Sequence, residues 1–291
     1  MPIIHHHIAK LRMASVGASL EHRLKMRDGH TIPQFGLGVY DMSSKETYAA
    51  VRAALAAGYK HVDTAEWYYN EADVGRALAD HLKDTGAQRS DYFITSKLMR
   101  NRSYAAALSD LRASLGRAGL DYFDLYLLHS PIGGAATRKE VWRALVDARS
   151  EGLVRSVGVS NFGVKHLDEM QGELPAVNQV DLHPWMRHED IVAACEARGI
   201  LLEAWAPLAR GIKFDDPALV AIAKKHGRDK AQILLRWGLQ HGFIVIPKSV
   251  SPARIASNAN VLDFALDDAD MQALDALDEY LVTDWDVVDV E

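Results

Sequence analysis

The sequence predicts an α/β fold: a (β/α)8 TIM barrel with an N-terminal β-hairpin and an extra C-terminal helix. Short runs rich in β-branched, aromatic and leucine residues alternate with longer amphipathic segments along most of the chain, which is the pattern of repeated βα units. About eight such runs follow a first hairpin, and eight strands close this type of barrel. No Pro/Gly/Ser-rich linker interrupts the alternation, which favours one domain over two.

The elements are predicted in chain order from these runs and their turns. A hairpin is predicted over residues 24–32, with its turn at Asp28-Gly29. The barrel strands are predicted at 35–39, 61–64, 92–96, 123–128, 156–159, 176–182, 201–205 and 243–246. Apolar residues at helical spacing, as at Tyr48, Val51 and Leu55, predict helices between these strands. A last helix is predicted at about residues 267–277.

Composition and charge indicate which partners and which cellular location the protein is expected to have. Residues 1–20, with His5-His6-His7, are interpreted as a flexible N-terminal extension and residues 21–291 as a single domain. A net charge of −6 without a concentrated Lys/Arg stripe disfavours nucleic acid and anionic membranes as partners. The single cysteine, Cys195, excludes an intramolecular disulfide and favours a cytoplasmic location. We expect a small-molecule partner and a monomer or weak homo-oligomer.

Polar residues gather at the ends of four predicted segments. Asp63, Lys97 and His129 stand at or just after strand ends, and Tyr68 follows the second strand by a short loop. Singly, such an Asp is often a helix cap and such a His a structural group. A barrel would bring all four to one mouth, where a tyrosine beside a lysine can donate a proton. We expect these neighbours to lower the pKa of Tyr68.

Three separated motifs carry a resemblance to a known family. They are residues 58–65 with Asn70-Glu71, residues 157–162, and residues 246–249 with Arg254 and Asn258. Together they resemble the aldo-keto reductases over nearly the full chain, and are most similar to the diketogluconate-reductase-like branch with short loops. The resemblance implies a metal-free, NADPH-dependent reduction of aldehydes or ketones to alcohols.

The same resemblance implies a role for each residue of the constellation. Tyr68 would be the general acid, Lys97 would supply a positive charge beside it, Asp63 would pair with Lys97, and His129 would orient the substrate carbonyl. Tyr69 is not assigned this role, because the family pattern places the catalytic phenol two positions before Asn70.

Cofactor and substrate contacts are likewise implied by the resemblance. Ser160, Asn161 and Gln179 would hold the nicotinamide carboxamide, Trp205 would stack on its ring, and Lys248, Ser249 and Arg254 would hold the 2′-phosphate of NADPH. The full cofactor set is Val39, Asp63, Ser160, Asn161, Gln179, Trp205, Leu208, Lys248, Ser249, Arg254 and Asn258. Tyr40, Trp67 and His129 would contact the small-molecule carbonyl substrate, with Trp285 as a further apolar wall.

Two other functions remain open from the sequence. One is a barrel that binds NADPH without turnover, as a sensor or channel-associated subunit; retention of all four catalytic-type residues argues against it. The other is a metal-dependent hydrolase that uses His129, His183 and His188. No carboxylate-rich cluster accompanies these histidines, which disfavours a metal centre.

Overall fold

The computed structural model describes residues 19–291, so residues 1–18 of the expected extension, with His5-His6-His7, lie outside the described residues. The described chain contains an eight-stranded parallel sheet, surrounding helices and a two-stranded antiparallel sheet. The predicted α/β barrel with its N-terminal hairpin is therefore confirmed. The predicted division into an extension and one domain stays a prediction.

The strands follow the predicted order, most of them with shifted ends. The hairpin consists of β1 (Arg23–Lys25) and β2 (Thr31–Pro33), paired antiparallel. The barrel strands are β3 (Leu37–Gly38), β4 (His61–Asp63), β5 (Phe93–Leu98), β6 (Phe123–Leu128), β7 (Val154–Ser160), β8 (Val177–Asp181), β9 (Leu201–Trp205) and β10 (Ile244–Val245). Each lies beside the next along the chain, all in parallel. Parallel neighbours in chain order require a crossover connection between each strand and the next, and such crossovers are right-handed as a rule.

Backbone contacts between the first and last barrel segments close the sheet. Gly36 N donates to Val245 O at 2.9 Å, and Gly38 N donates to Pro247 O at 3.2 Å. Gly38 is required at this seam because a Cβ there would lie 2.8 Å from Ile246 O. The seam places Lys248 beside Gly38, and thus beside the start of the barrel.

Helices separate successive barrel strands from β3 onward, and several of them begin at a side-chain cap. They are α1 (Ser44–Ala56), α2 (Glu71–Thr85), α3 (Tyr104–Ala118), α4 (Ala135–Ser150), α5 (Val164–Glu169), α6 (Glu189–Ala197), α7 (Pro217–His226), α8 (Lys230–Gln240), α9 (Pro252–Ala259) and α10 (Asp268–Asp275). Short 3-10 helices lie at Glu66–Tyr68, Arg89–Asp91 and Ala209–Gly211. Ser43 and Glu46 form a capping box that starts α1. The final helix is shorter than the predicted 267–277.

The apolar core has two parts, and one of them fixes which end of the barrel is open. The larger part lies between the strands and the helices. In the smaller one, Met26 and Ile32 of the hairpin join Phe93, Val177 and Ile244, which begin β5, β8 and β10. The hairpin therefore covers the amino-terminal end of the barrel. Polar side chains are left to gather at the opposite end, where barrel enzymes carry their chemistry.

The chain after α10 crosses this opposite end. Thr283 Oγ1 donates to Asp181 Oδ2 at 2.9 Å at the end of β8, and His166 Nε2 in α5 lies 2.6 Å from Val290 O. Arg210 Nη1 donates to Asp284 Oδ2 at 2.7 Å from the loop after β9. Residues 280–291, called the tail below, thus lie over the carboxyl ends of the strands. In the described range no helix has the length and apolarity needed to cross a bilayer.

Candidate active site

A short 3-10 helix turns Tyr68 back over the end of β4. The chain leaves β4 after Asp63, and Thr64 N donates to Thr95 O at 2.9 Å. Asn70 fixes the returning segment, since its Nδ2 donates to Val39 O at 2.9 Å and its Oδ1 accepts from Thr64 Oγ1 at 2.7 Å. The loop is therefore held by buried hydrogen bonds on both sides of Tyr68.

Lys97 joins three acceptors inside the barrel mouth. Its Nζ donates to Asp63 Oδ1 at 2.5 Å, to Thr64 O at 3.0 Å and to Tyr68 Oη at 3.2 Å. An ammonium has three protons, so all of its donors are used. Its side chain is fully buried and that of Asp63 nearly so. Burial opposes the charge on Lys97, but Asp63 and Tyr68 outweigh it and raise the lysine pKa.

The pKa of Tyr68 moves opposite to the expectation from the sequence. Burial raises it to about 12, although Lys97 acts to lower it. The expected lowering was wrong because the charge of Lys97 is largely neutralised by Asp63, while the phenol loses hydration against Tyr40 and His129. Tyr68 is therefore protonated at neutral pH. The Lys97 ammonium is in contact with its hydroxyl and would stabilise the negative charge of a phenolate.

His129 completes the group at the end of β6. Its side chain is buried and its ring centroid lies 5.6 Å from that of Tyr68. Burial, with the charge of Lys97 adding, holds the pKa of His129 well below its usual range. The imidazole is neutral, so it can donate one hydrogen bond to a ligand without adding a charge.

Aromatic side chains surround the outer side of this group. The Tyr40 ring lies 5.0 Å from that of Tyr68, and Trp67 lies 6.1 Å from His129. Trp285 of the tail lies 6.0 Å from Trp67. Tyr40 and Trp67 are each more than two-fifths exposed, so apolar surface is available to a ligand above the phenol. By contrast, the Tyr69 side chain is 79% exposed, on a left-handed residue that ends the 3-10 helix.

The four residues assigned to the nicotinamide lie together, at the ends of β7 and β9 and in the middle of β8. Ser160 Oγ donates to Gln179 O at 2.9 Å, and Trp205 Nε1 donates to Asn161 Oδ1 at 2.9 Å. Gln179 Nε2 donates to Asp63 Oδ2 at 2.8 Å, which joins this cluster to the Lys97 group.

The free hydrogen-bonding atoms of this cluster show whether it can bind a carboxamide. Gln179 uses both amide protons, on Asp63 and on Glu203, so its Oε1 remains to accept a ligand N–H. Asn161 likewise uses both protons, on His129 O and Ser160 Oγ, and keeps a second lone pair on Oδ1. The acceptors fit a carboxamide NH2. For Ser160 to donate a hydrogen bond to the carboxamide oxygen, its hydroxyl would have to turn away from the Gln179 backbone carbonyl.

The other residues assigned to the cofactor lie outside the nicotinamide cluster, either near the barrel seam or packed in the apolar core. Lys248 and Arg254 are exposed near the seam, and Ser249 is buried with its Oγ accepting from Ser251 N. In residues 19–291, no hydrogen bond joins Lys248, Ser249, Arg254 or Asn258 to the nicotinamide cluster. Leu208 packs against the core. Val39 is fully buried, and its N–H and C=O are bonded to Asp63 and Asn70; its cofactor contact stays a prediction.

The histidines of the metal alternative do not form a centre. His183 is fully buried, and His188 lies on a left-handed residue before α6. Among the described residues, no cluster of three or more His, Cys, Asp or Glu is arranged to hold a metal ion.

Sequence reasoning missed Glu203, a fully buried acid that contacts Gln179. It also missed Thr283 and Asp284, which hold the tail in place. An acid in the middle of the apolar run 201–205 was the available signal for Glu203. No sequence signal was available for the contacts of the tail, because they depend on the path that the chain takes after α10.

Comparisons with known proteins show which family the chain resembles. The model of the Aldo/keto reductase family matches residues 33–279. An uncharacterised oxidoreductase of Schizosaccharomyces pombe is 44% identical, over 90% of this chain and 96% of its own length. Glyoxal reductase of Bacillus subtilis is 42% identical, over 90% of this chain and 94% of its own. A crystal structure of a Bombyx mori aldo-keto reductase in complex with NADP has a TM-score of 0.85 at 33% identity, covering 90% of this chain and 94% of that one.

Proposed function

Because the chain belongs to the aldo/keto reductase family, we propose that it reduces aldehydes or ketones to alcohols with NADPH, and that Tyr68 donates the proton. The observation that carries the proposal is the contact between Lys97 Nζ and the Tyr68 phenol, with Asp63 behind the lysine. Such an arrangement supplies a proton at neutral pH and stabilises the phenolate that remains.

The proposed mechanism uses the residues in a fixed order. The neutral imidazole of His129 and the Tyr68 hydroxyl both donate hydrogen bonds to the carbonyl oxygen, which fixes and polarises the carbonyl. NADPH, when bound, supplies a hydride to the carbonyl carbon. As negative charge develops on the oxygen, Tyr68 gives up its proton and an alcohol forms. Lys97 stabilises the phenolate, which regains a proton from solvent because Tyr68 is only half-buried.

Cofactor binding is proposed for two groups of residues. Gln179 Oε1 and Asn161 Oδ1 would accept the carboxamide N–H groups, and Trp205 offers a flat face beside them. The exposed cations Lys248 and Arg254 would hold the 2′-phosphate, since a phosphate monoester prefers charge-assisted donors. This second group is the basis for proposing NADPH over NADH.

The test is loss of reduced-nicotinamide absorbance with purified protein, NADPH or NADH, and a panel of carbonyl compounds. The panel includes glyoxal, because a relative is named a glyoxal reductase, together with aromatic aldehydes, keto acids, keto esters and open-chain sugars. We expect turnover on at least one compound, with NADPH preferred. Quenching of tryptophan fluorescence by NADPH without turnover on any carbonyl would favour the non-catalytic binding protein instead.

A further inference from the structure

Glu203 lies inside the barrel beside the residues that the mechanism uses. It is in the middle of β9, its side chain is fully buried, and it pairs in register with Gln179 of β8. Neighbouring residues in register on parallel strands point to the same face, so both side chains enter the barrel interior. The proposed mechanism gives Glu203 no role, although a buried acid costs stability unless something compensates for it.

The amide of Gln179 joins Glu203 to Asp63. Gln179 Nε2 donates one proton to Asp63 Oδ2 at 2.8 Å and the other to Glu203 Oε2 at 2.7 Å. With both protons held inside the barrel, the Gln179 side chain has one orientation, and its Oε1 points away from both carboxyl groups. Loss of the Glu203 acceptor would leave a buried N–H without a partner and free the amide to rotate.

The charges around Glu203 determine its protonation state. Asp63 and Lys97 act on it as an ion pair, and Gln179 is neutral. His61 Nε2 lies 3.7 Å from Glu203 Oε1, but burial lowers the pKa of His61 to about 3, so this ring brings no charge. Burial, with the charge of Asp63 adding, raises the pKa of Glu203 to about 8. Glu203 is therefore a neutral acid at neutral pH.

We propose that Glu203 is a positioning residue of the reductase site, which acts through Gln179 to fix Asp63 and to aim the Gln179 carbonyl oxygen at the nicotinamide carboxamide. This inference rests on the proposed function, because it assumes that Gln179 contacts the cofactor. Glu203 itself touches neither cofactor nor substrate in this arrangement.

Ionisation of Glu203 gives the site a pH dependence. Above about pH 8, Glu203 adds a second buried negative charge, separated from the Asp63 carboxylate only by the Gln179 Nε2 atom that both groups bind. That charge opposes formation of the Tyr68 phenolate and repels the Asp63 carboxylate, so catalysis declines. Of the other facing groups, His61 is already neutral and Lys97 and Tyr68 have raised pKa values. Burial raises the pKa of Asp63 as well, but the charge of Lys97 and the hydrogen bonds from Lys97 and Gln179 oppose that shift. We therefore assign the ionisation above neutral pH to Glu203.

The experiment uses the full chain with two variants and a matched control. Glu203→Gln keeps an acceptor and stays neutral at every pH, whereas Glu203→Met fills similar volume without an acceptor. Thr95→Val is the control: Thr95 is equally buried in the same interior and bonds His61, not Gln179. The readouts are the NADPH dissociation constant from tryptophan quenching, kcat and KM from neutral to alkaline pH, and the melting temperature.

We expect Glu203→Met to bind NADPH about tenfold more weakly, the equivalent of one lost buried hydrogen bond, and to have a lower kcat. Glu203→Gln should restore both near neutral pH and lose the alkaline decline of kcat. Thr95→Val should change the melting temperature alone.

Two results would overturn the inference while leaving the proposed function intact. One is a Glu203→Met protein whose only change is a lower melting temperature. The other is an alkaline decline in Glu203→Gln equal to that of the parent. If Glu203→Met does not fold, the alkaline profile of kcat in Glu203→Gln decides: its flattening supports the inference, and a decline equal to that of the parent overturns it. Failure of the parent protein to bind NADPH would reject the proposed function, and this inference with it.

Discussion

The Lys97 ammonium lies 3.2 Å from the Tyr68 phenol oxygen, and Asp63 holds that ammonium in place at 2.5 Å. The pair connects a fully buried strand residue to a half-buried loop residue. A charge in contact with the phenol does not make it acidic in the resting protein, because burial dominates its pKa. In the proposed mechanism the cation acts instead when the proton leaves, which is the moment at which transition-state stabilisation counts.

Tyr68→Phe tests the proposed proton donor. It removes one hydroxyl and keeps the ring that packs on Tyr40 and His129. We expect carbonyl turnover to fall about 100- to 10,000-fold, the usual contribution of general acid catalysis, with NADPH affinity changed by no more than a few-fold. Steady-state kinetics and fluorescence titration measure the two quantities.

Tyr69→Phe is the matched control, because it makes the same change at an exposed neighbour. It should have the kinetics of the parent protein. Full activity in Tyr68→Phe together with a loss in Tyr69→Phe would reverse the assignment of the donor.

Lys97→Met tests the buried ion pair through stability. It leaves the Asp63 carboxylate buried without its cation, and breaking one side of such a pair costs about 3–5 kcal/mol. Adding Asp63→Asn removes the stranded charge, so the double variant should be more stable than Lys97→Met alone. Urea unfolding of both variants gives the free energies. Additive losses in the double variant would show that the two side chains are not coupled.

The fold was predictable because its signals repeat along the chain. Alternating strand and helix patterns predicted each barrel strand within a few residues, and 123–128 matched β6 at both ends. Strand ends gave the positions of Asp63, Lys97 and His129, since parallel strands bring their carboxyl ends to one mouth. The residue roles, the cytoplasmic location and the oligomeric state stay predictions.

What the sequence did not reveal depends on distances between segments remote in the chain. The raised pKa of Tyr68 arises from burial of its phenol group against neighbouring side chains, although the residue as a whole is half-buried, and a motif does not report this. Glu203 became meaningful only when Gln179 was seen to bridge it to Asp63. Trp285 reaches His129 because the tail folds back over the barrel, a path that no local pattern encodes.

Arg254→Ala tests the proposed choice of NADPH over NADH. The Arg254 side chain is exposed in the first turn of α9, so its loss should not disturb the core. A charge-assisted hydrogen bond is worth about 1.5–3 kcal/mol, so we expect the dissociation constant for NADPH to rise about 10- to 100-fold. The constant for NADH should change little, since NADH has no 2′-phosphate. Equal losses for the two cofactors in fluorescence titrations would remove Arg254 from the phosphate site.

Gly163→Ala tests whether the tail shapes the substrate mouth. A Cβ at Gly163 would lie 2.2 Å from Val288 O, so the tail backbone must move away. The φ of Gly163 is −79°, which alanine adopts freely, so only the lack of space opposes the change. Displacement of Val288 should loosen Trp285 from its contacts with Trp67 and His129.

We therefore expect Gly163→Ala to make the tail more sensitive to limited proteolysis and to raise KM for aromatic aldehydes by several-fold. Gly116→Ala is the control: Gly116 lies inside α3, and a Cβ there meets no atom within 4 Å. Alanine in place of glycine inside a helix should stabilise the protein by up to about 1 kcal/mol, with unchanged kinetics. Parent-like proteolysis and KM in Gly163→Ala would mean that the tail can shift without moving Trp285, and that the tail does not set the shape of the mouth.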